Sequence, residues 1–154
     1  MSVTTSNPVS VGFATKKTQW DALWDNFAAL KAVGIRIPLG GSPTKIVAVA
    51  VGAIAIIPDG IRCRLSDCAA IQGMTMEVHF MGHVSSGTGY ARLYNATDAA
   101  YIGSAYSFTD TSDTLQIITS LTIPATGQKD FELHAYYGAA ANAPHVWGAS
   151  LVLR

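Results

Sequence analysis

Apolar and polar residues along this chain change their period once, from helical to extended. Between Thr18 and about Val33, Trp20, Leu23, Trp24, Phe27 and Leu30 fall at i, i+3, i+4, i+7 and i+10, the spacing of one apolar stripe on a helix. Thr18 with Asp21 resembles a capping box with Asp in the usual Glu position. Gly34 suits a left-handed C-terminal cap, and Pro38 blocks continuation. The pattern therefore predicts an amphipathic helix over 18–34.

After Pro43 the period falls to two. Ile46 to Ile57 is a continuous β-branched apolar run with a central Gly52, expected as a core strand buried on both faces and stopped by Pro58-Asp59-Gly60. Ile61, Cys63 and Leu65 alternate with Arg62 and Arg64. Met74, Met76, Val78 and Phe80 alternate with Thr75, Glu77, His79 and Met81. Further strands are expected at Tyr90 to Tyr94, Tyr101 to Phe108, Leu115 to Leu121, Phe131 to Tyr137 and Val146 to Leu153, separated by turns rich in Gly, Pro, Asn and Asp. Eight or so short strands at this spacing predict an all-β fold, an antiparallel β-sandwich of jelly-roll type over 44–154.

The first 17 residues have neither period for long enough to fold alone and are expected to form an extended N-terminal arm. Val9, Val11 and Phe13 would be its alternating anchors on a partner. Trp20, Trp24 and Phe27, with Leu23 in the same stripe, crowd more aromatic surface onto one helix than packing on a small sandwich requires. Two uses compete, packing on the chain's own sheet or contact with copies of itself or another subunit, and contact with other subunits is the favoured expectation.

Composition strengthens the expectation of an assembling protein. The chain has 154 residues, enough for one sizeable core, with 49% hydrophobic and 13% charged residues. That charged fraction is about half the usual one, and Ala, Gly, Ser and Thr fill the gap. Ten basic and ten acidic residues cancel, and the basic ones form no stripe, which argues against nucleic acid as a partner. The 12-residue apolar run is too short to span about 30 Å of hydrocarbon as a helix, so no membrane role is expected, and the first ten residues do not resemble a secretory signal.

Candidate chemistry is sparse. Cys63 and Cys68 are five apart, matching neither a zinc knuckle nor a redox pair, and are expected as free thiols. His79 and His83 would share a strand face about 13 Å apart, too far for one ion. They and His134 are expected as surface or rim histidines. There is no Gly-x-Ser-x-Gly elbow, Asp110 and Asp113 lie in a polar turn, and no phosphate-cradling glycine loop occurs. No catalytic residue, metal or cofactor is therefore expected.

One set of segments resembles a known class. Ala91-Arg-Leu-Tyr-Asn-Ala-Thr-Asp98, Gly103-Ser104, Leu121-Thr-Ile-Pro124, Gly127-Gln-Lys129 and the closing Ala149-Ser-Leu-Val-Leu-Arg154 are similar to the C-terminal β-sandwich modules of bacteriophage fibre, tail and head-decoration proteins. Trp20-Asp-Ala-Leu-Trp-Asp-Asn26 is similar to a helical segment that precedes such modules. The resemblance implies a non-enzymatic virion structural protein, often trimeric, assembled in the host cytoplasm. Expected first is a capsid decoration or cement subunit that binds the major capsid protein or other virion subunits through its arm and helix. Expected second is a short fibre component or a carbohydrate-binding module, with Tyr90, Tyr94, Tyr101, Tyr136 or Trp147 stacking on sugar rings.

Overall fold

Strands dominate the computed structural model, which describes residues 34–39, 46–47, 55–56, 62–137 and 144–154. The expected arm anchors Val9, Val11 and Phe13 and the expected helix residues Trp20, Leu23, Trp24 and Phe27 lie outside the described residues. In chain order the strands are β1 (Ile35–Pro38), β2 (Ile46–Val47), β3 (Ala55–Ile56), β4 (Cys63–Leu65), β5 (Met76–Val84), β6 (Gly89–Asn95), β7 (Ala100–Phe108), β8 (Thr114–Leu121), β9 (Lys129–Tyr137) and β10 (Pro144–Leu153).

These strands form two five-stranded antiparallel sheets. The first runs β1-β10-β5-β8, with β2 also paired to β10; the second runs β3-β9-β6-β7, with β4 also paired to β9. Grouping β1 with β2 and β3 with β4 gives four positions per sheet, in the order of a jelly roll. The β-sandwich expected from the period-two pattern is thus present, and β5 to β10 fall close to where alternation placed them.

Alternation explains how the sheets meet. Val78 and Phe80 of β5, Leu151 of β10, Leu93 of β6 and Phe131 and Leu133 of β9 have no exposed surface and belong to one interior cluster. Phe80 ties the sheets together: its ring meets the edge of Tyr106 at 6.3 Å and of Phe108 at 5.7 Å, both from β7. A buried phenylalanine side chain contributes about 1.5–3 kcal/mol by area alone, before the edge-on ring contacts. Gly89 begins β6 where a Cβ would stand 2.8 Å from both Phe108 and Val84, so the absence of a side chain permits this close approach.

Two features depart from the sequence expectation. The described pieces of the apolar run Ile46 to Ile57 serve both sheets rather than one: Ile46–Val47 pairs with β10 in the first sheet, and Ala55–Ile56 pairs with β9 in the second. A continuous apolar run has no polar face to mark where the chain changes sheet, so its pattern could not reveal the switch. The second departure is β1, four residues that extend the first sheet beside the closing strand.

Both cysteines are free and buried. Burial, with the nearby Asp130 carboxylate adding to it, pushes the Cys63 thiol up to about 11, so it stays protonated. Cys68 opens a short 3-10 turn, Ala69–Ile71, and its backbone N–H donates to the Gly127 carbonyl at 3.0 Å, joining two loops at one end of the sandwich.

Candidate functional site

The outer face of the second sheet gathers most of the chain's tyrosines with several charged groups. On β6, buried Ala91 and Leu93 point inward, leaving Tyr90, Arg92 and Tyr94 outward. On β9 the corresponding outward residues are Glu132, His134 and Tyr136. Register then sets neighbours: Tyr90 lies opposite Tyr136, Arg92 opposite His134, and Tyr94 opposite Glu132 on one side and Tyr101 of β7 on the other.

The rings make two groups. Tyr90 and Tyr136 stack at 5.3 Å between centroids and 15° between planes. Tyr94 stacks on His134 at 4.5 Å, and Tyr101 meets both edge-on at 5.1 and 5.6 Å. The Arg92 guanidinium lies over Tyr101 at 4.5 Å from its centroid and is held there by two N–H groups donating to the Gly103 carbonyl at 3.0 and 2.9 Å. All four tyrosines are half-buried.

A hydrogen-bonded line runs beneath this aromatic layer. The Tyr101 hydroxyl donates to His134 Nδ1 at 3.2 Å, and His134 Nε2 donates to Glu132 at 3.1 Å, an assignment fixed by the carboxylate's acceptor-only character. Arg62 of the segment entering β4 donates to the other Glu132 oxygen at 2.6 Å. Burial pushes the Glu132 carboxyl up, but the hydrogen bonds from His134 and Arg62 and the Arg62 charge outweigh it, leaving it below its ordinary value. Burial also pushes the Tyr101 hydroxyl up, more than the Arg92 charge lowers it, so it keeps its proton to donate.

Exposed ion pairs border the face. Arg64 grips Asp130 with two N–H donors at 2.7 and 3.0 Å, which holds the Asp130 carboxyl below the usual range. Lys129 donates to Asp98 at 2.6 Å in the turn after β6, with the same effect on Asp98. That turn is closed by the Asn95 side chain, which accepts from the N–H groups of Thr97 and Asp98, so Asn95-Ala-Thr97 is a turn as its sequence suggested.

Of the five residues expected to stack on sugar, the structure brings four together and separates the fifth. Trp147 lies on β10 in the first sheet, edge-on to His83 at 5.9 Å. Alternation marks an outward residue but not which sheet carries it. The expectation for the histidines also needs correction. His79 and His134 are 3% and 5% exposed, not surface groups, because partners from other strands enclose them. His79 accepts from Arg36 of β1 at 3.5 Å and donates to Glu77 at 2.8 Å. His83 is half-buried, hydrogen-bonded to Asp113 and stacked on His145 at 4.6 Å. Arg92, Glu132 and His134 were not singled out as binding residues, although the alternation of Arg92 with inward Ala91 and Leu93 placed it between two candidate tyrosines.

Among the described residues, no group of three or more His, Cys, Asp or Glu side chains is placed to hold a metal ion, and no helix is long and apolar enough to cross a membrane. No protein-family description matches the chain, and no curated protein matches it. Solved structures do. A carbohydrate-binding module, CBM36, determined in complex with calcium and xylotriose, superposes with a TM-score of 0.50 at 16% identity over 78% of this chain and 99% of its own. A structure of infectious bursal disease virus, Gx strain, gives 0.44 at 15% identity, and the VP2 subviral particle of that virus 0.43 at 11%; each covers 78% of this chain but only 30% and 32% of the viral chain. The first likeness supports the fold alone, and the viral ones are too distant to carry an argument.

Proposed function

We propose that this chain is a non-enzymatic structural subunit of a bacteriophage virion whose sandwich recognises carbohydrate through the outer face of its second sheet. The observation that carries the recognition is the convergence of Tyr90, Tyr94, Tyr101 and Tyr136 on one face, each half-buried and paired with a neighbouring ring or cation. A sugar ring presents apolar C–H groups on its faces and hydroxyls around its rim. A tyrosine offers an apolar ring and a polar tip in one side chain, and these rings are pre-positioned, which lowers the entropic cost of binding.

The hydrogen-bonded line beneath the rings contributes fixed positions for them. His134 is locked between Tyr101 and Glu132, and Arg62 neutralises the carboxylate, so the layer carries buried polar groups with their partners in place. The CBM36 complex with xylotriose shows that a protein of similar fold binds a sugar; the present reading rests on this chain's own tyrosines. The virion setting rests on the sequence resemblance. In it, the arm with Val9, Val11 and Phe13 would attach the subunit, as a trimer, to the major capsid protein or another virion component.

A glycan array including bacterial surface polysaccharides tests the reading. The wild-type chain is expected to bind a defined subset, and Tyr94→Ala and Tyr136→Ala to weaken that binding roughly tenfold or more, about 1.4 kcal/mol. Trp147→Phe, on the other sheet, is expected to bind like wild type. Folded wild-type protein that binds no glycan, or binding unaffected by both tyrosine substitutions, contradicts the proposal.

A further inference from the structure

The outer face of the first sheet differs in kind from that of the second. Cross-strand register puts Leu115 of β8, Met81 of β5 and Trp147 of β10 in one row, and Ile117, His79 and Ser150 in the next. Beyond them, Val152 lies opposite Glu77 on one side and Arg36 on the other. This face therefore carries an apolar row between the His83–His145 stack at one end and the Arg36, His79, Glu77 and Arg154 network at the other.

Val152 is the informative residue. Its side chain has no exposed surface, yet it stands outside the interior cluster that takes Leu151 and Leu153 on either side of it. A valine that points away from the core and is still fully enclosed needs a cover on the outer face. In the apolar row of the same face Leu115 is 50% exposed.

The backbone before β1 shows where the cover comes from. Gly34 has a φ of +77°, a left-handed conformation, and a Cβ built on it would point at the Val152 side chain, 3.1 Å from Cγ1, and at the aliphatic stem of Arg154 at 3.0 Å. The chain thus enters β1 on the outer face directly against Val152. The amphipathic stretch ends at Val33, immediately before this glycine. As a helix its 16 residues would measure about 24 Å, and its stripe from Leu30 to Trp20 about 15 Å. Crossing from the β1 edge to Leu115 on β8 covers three strand spacings, about 14 Å, plus a few residues of rise along the strands, for a diagonal of about 20 Å.

We infer that residues 18–33 dock as an amphipathic helix on the outer face of their own first sheet, with Leu30 toward Val152 and Trp20 toward Leu115, so that Trp24 and Phe27 lie over Trp147 and Met81. This goes beyond the carbohydrate reading and does not depend on it. It reassigns Trp20, Leu23, Trp24 and Phe27 from contact with another subunit to contact with the chain's own sheet, which leaves attachment to the arm before them. It also makes the second sheet's outer face the one that remains open to a ligand.

Isotope-filtered NMR on the full chain tests the inference. Equal amounts of labelled and unlabelled protein are mixed, so that contacts within one chain and between chains are read separately. Cross-peaks within one chain from the Trp20, Trp24, Phe27 and Leu30 side chains to the Val152 and Met81 methyl groups are expected. Cross-peaks found only between chains would assign the face to a second copy, and their absence both within and between chains would leave it without this occupant; either result overturns the inference. As a second reading, Leu30→Asp in the full chain should raise the hydroxyl-radical oxidation rates of Met81 and Trp147 severalfold while circular dichroism retains the sandwich signal. Unchanged rates in the folded variant would also overturn it.

Discussion

The two outer faces of this sandwich are built by the same alternation of inward and outward residues and end with opposite chemistry. On the second sheet, outward positions hold tyrosines, Arg92 and a histidine whose polar atoms are paired within the face. On the first, the apolar row of Leu115, Met81 and Trp147 and a fully enclosed Val152 share the face with the paired Arg36, Glu77, His79 and His83. Side chains with an apolar body and a polar tip suit a surface that exchanges water for ligand, whereas aliphatic side chains suit permanent cover. A strand pattern alone calls both faces exposed; the identity of the outward residues tells them apart.

Substitutions rank the parts of this comparison by expected effect. The largest acts on what both faces share. Phe80→Ala empties a site between the sheets and should cost about 3–5 kcal/mol in denaturant unfolding, lowering the stability of both faces together. A single unfolding transition by tyrosine and tryptophan fluorescence is expected; two separate transitions would show that the sheets are not one cooperative unit.

Acid separates the faces more selectively. The Glu132, Asp130 and Asp98 carboxyls are held below their ordinary values, 4.5 for the first and 3.8 for the other two. A depressed carboxyl stabilises the fold above its unfolded value and loses that contribution as pH falls through its folded value. The melting temperature should therefore fall as pH drops below about 4.5, and Glu132→Gln should flatten part of that fall. A profile independent of pH between 5 and 3 would show that these pairs contribute nothing.

The smallest effect is expected at the border. Arg64 is 61% exposed at its side chain, and solvent screens its pair with Asp130. Arg64→Ala should lower the melting temperature only slightly at pH 7 and leave glycan binding intact. A clear loss of binding would extend the recognition face to the β4 edge.

Much of the scaffold was legible because inward Ala91 and Leu93, or Met76, Val78 and Phe80, alternate with polar partners at a period only a half-buried strand satisfies. Assignment to one sheet or the other was not. Nothing local in Tyr90 or Trp147 says that the first stands beside Tyr136 and the second beside Met81; that follows from pairing between strands far apart in the sequence. The same non-local pairing hid the burial of His134: Glu132 is two residues away on its own strand, but Tyr101 meets it only once β6, β7 and β9 are side by side. β1 escaped notice because Ile35-Arg-Ile-Pro38 is too short for a period to register between Gly34 and Pro38.

The most direct measurement of the central claim is hydroxyl-radical footprinting of the full chain with and without a saturating glycan identified on the array. Bound glycan is predicted to slow oxidation of Tyr90, Tyr94, Tyr101 and Tyr136 while leaving Met81 and Trp147 at their free-protein rates. Protection of Met81 and Trp147 with the four tyrosines unchanged would contradict the account, placing the ligand on the face assigned to the chain's own helix.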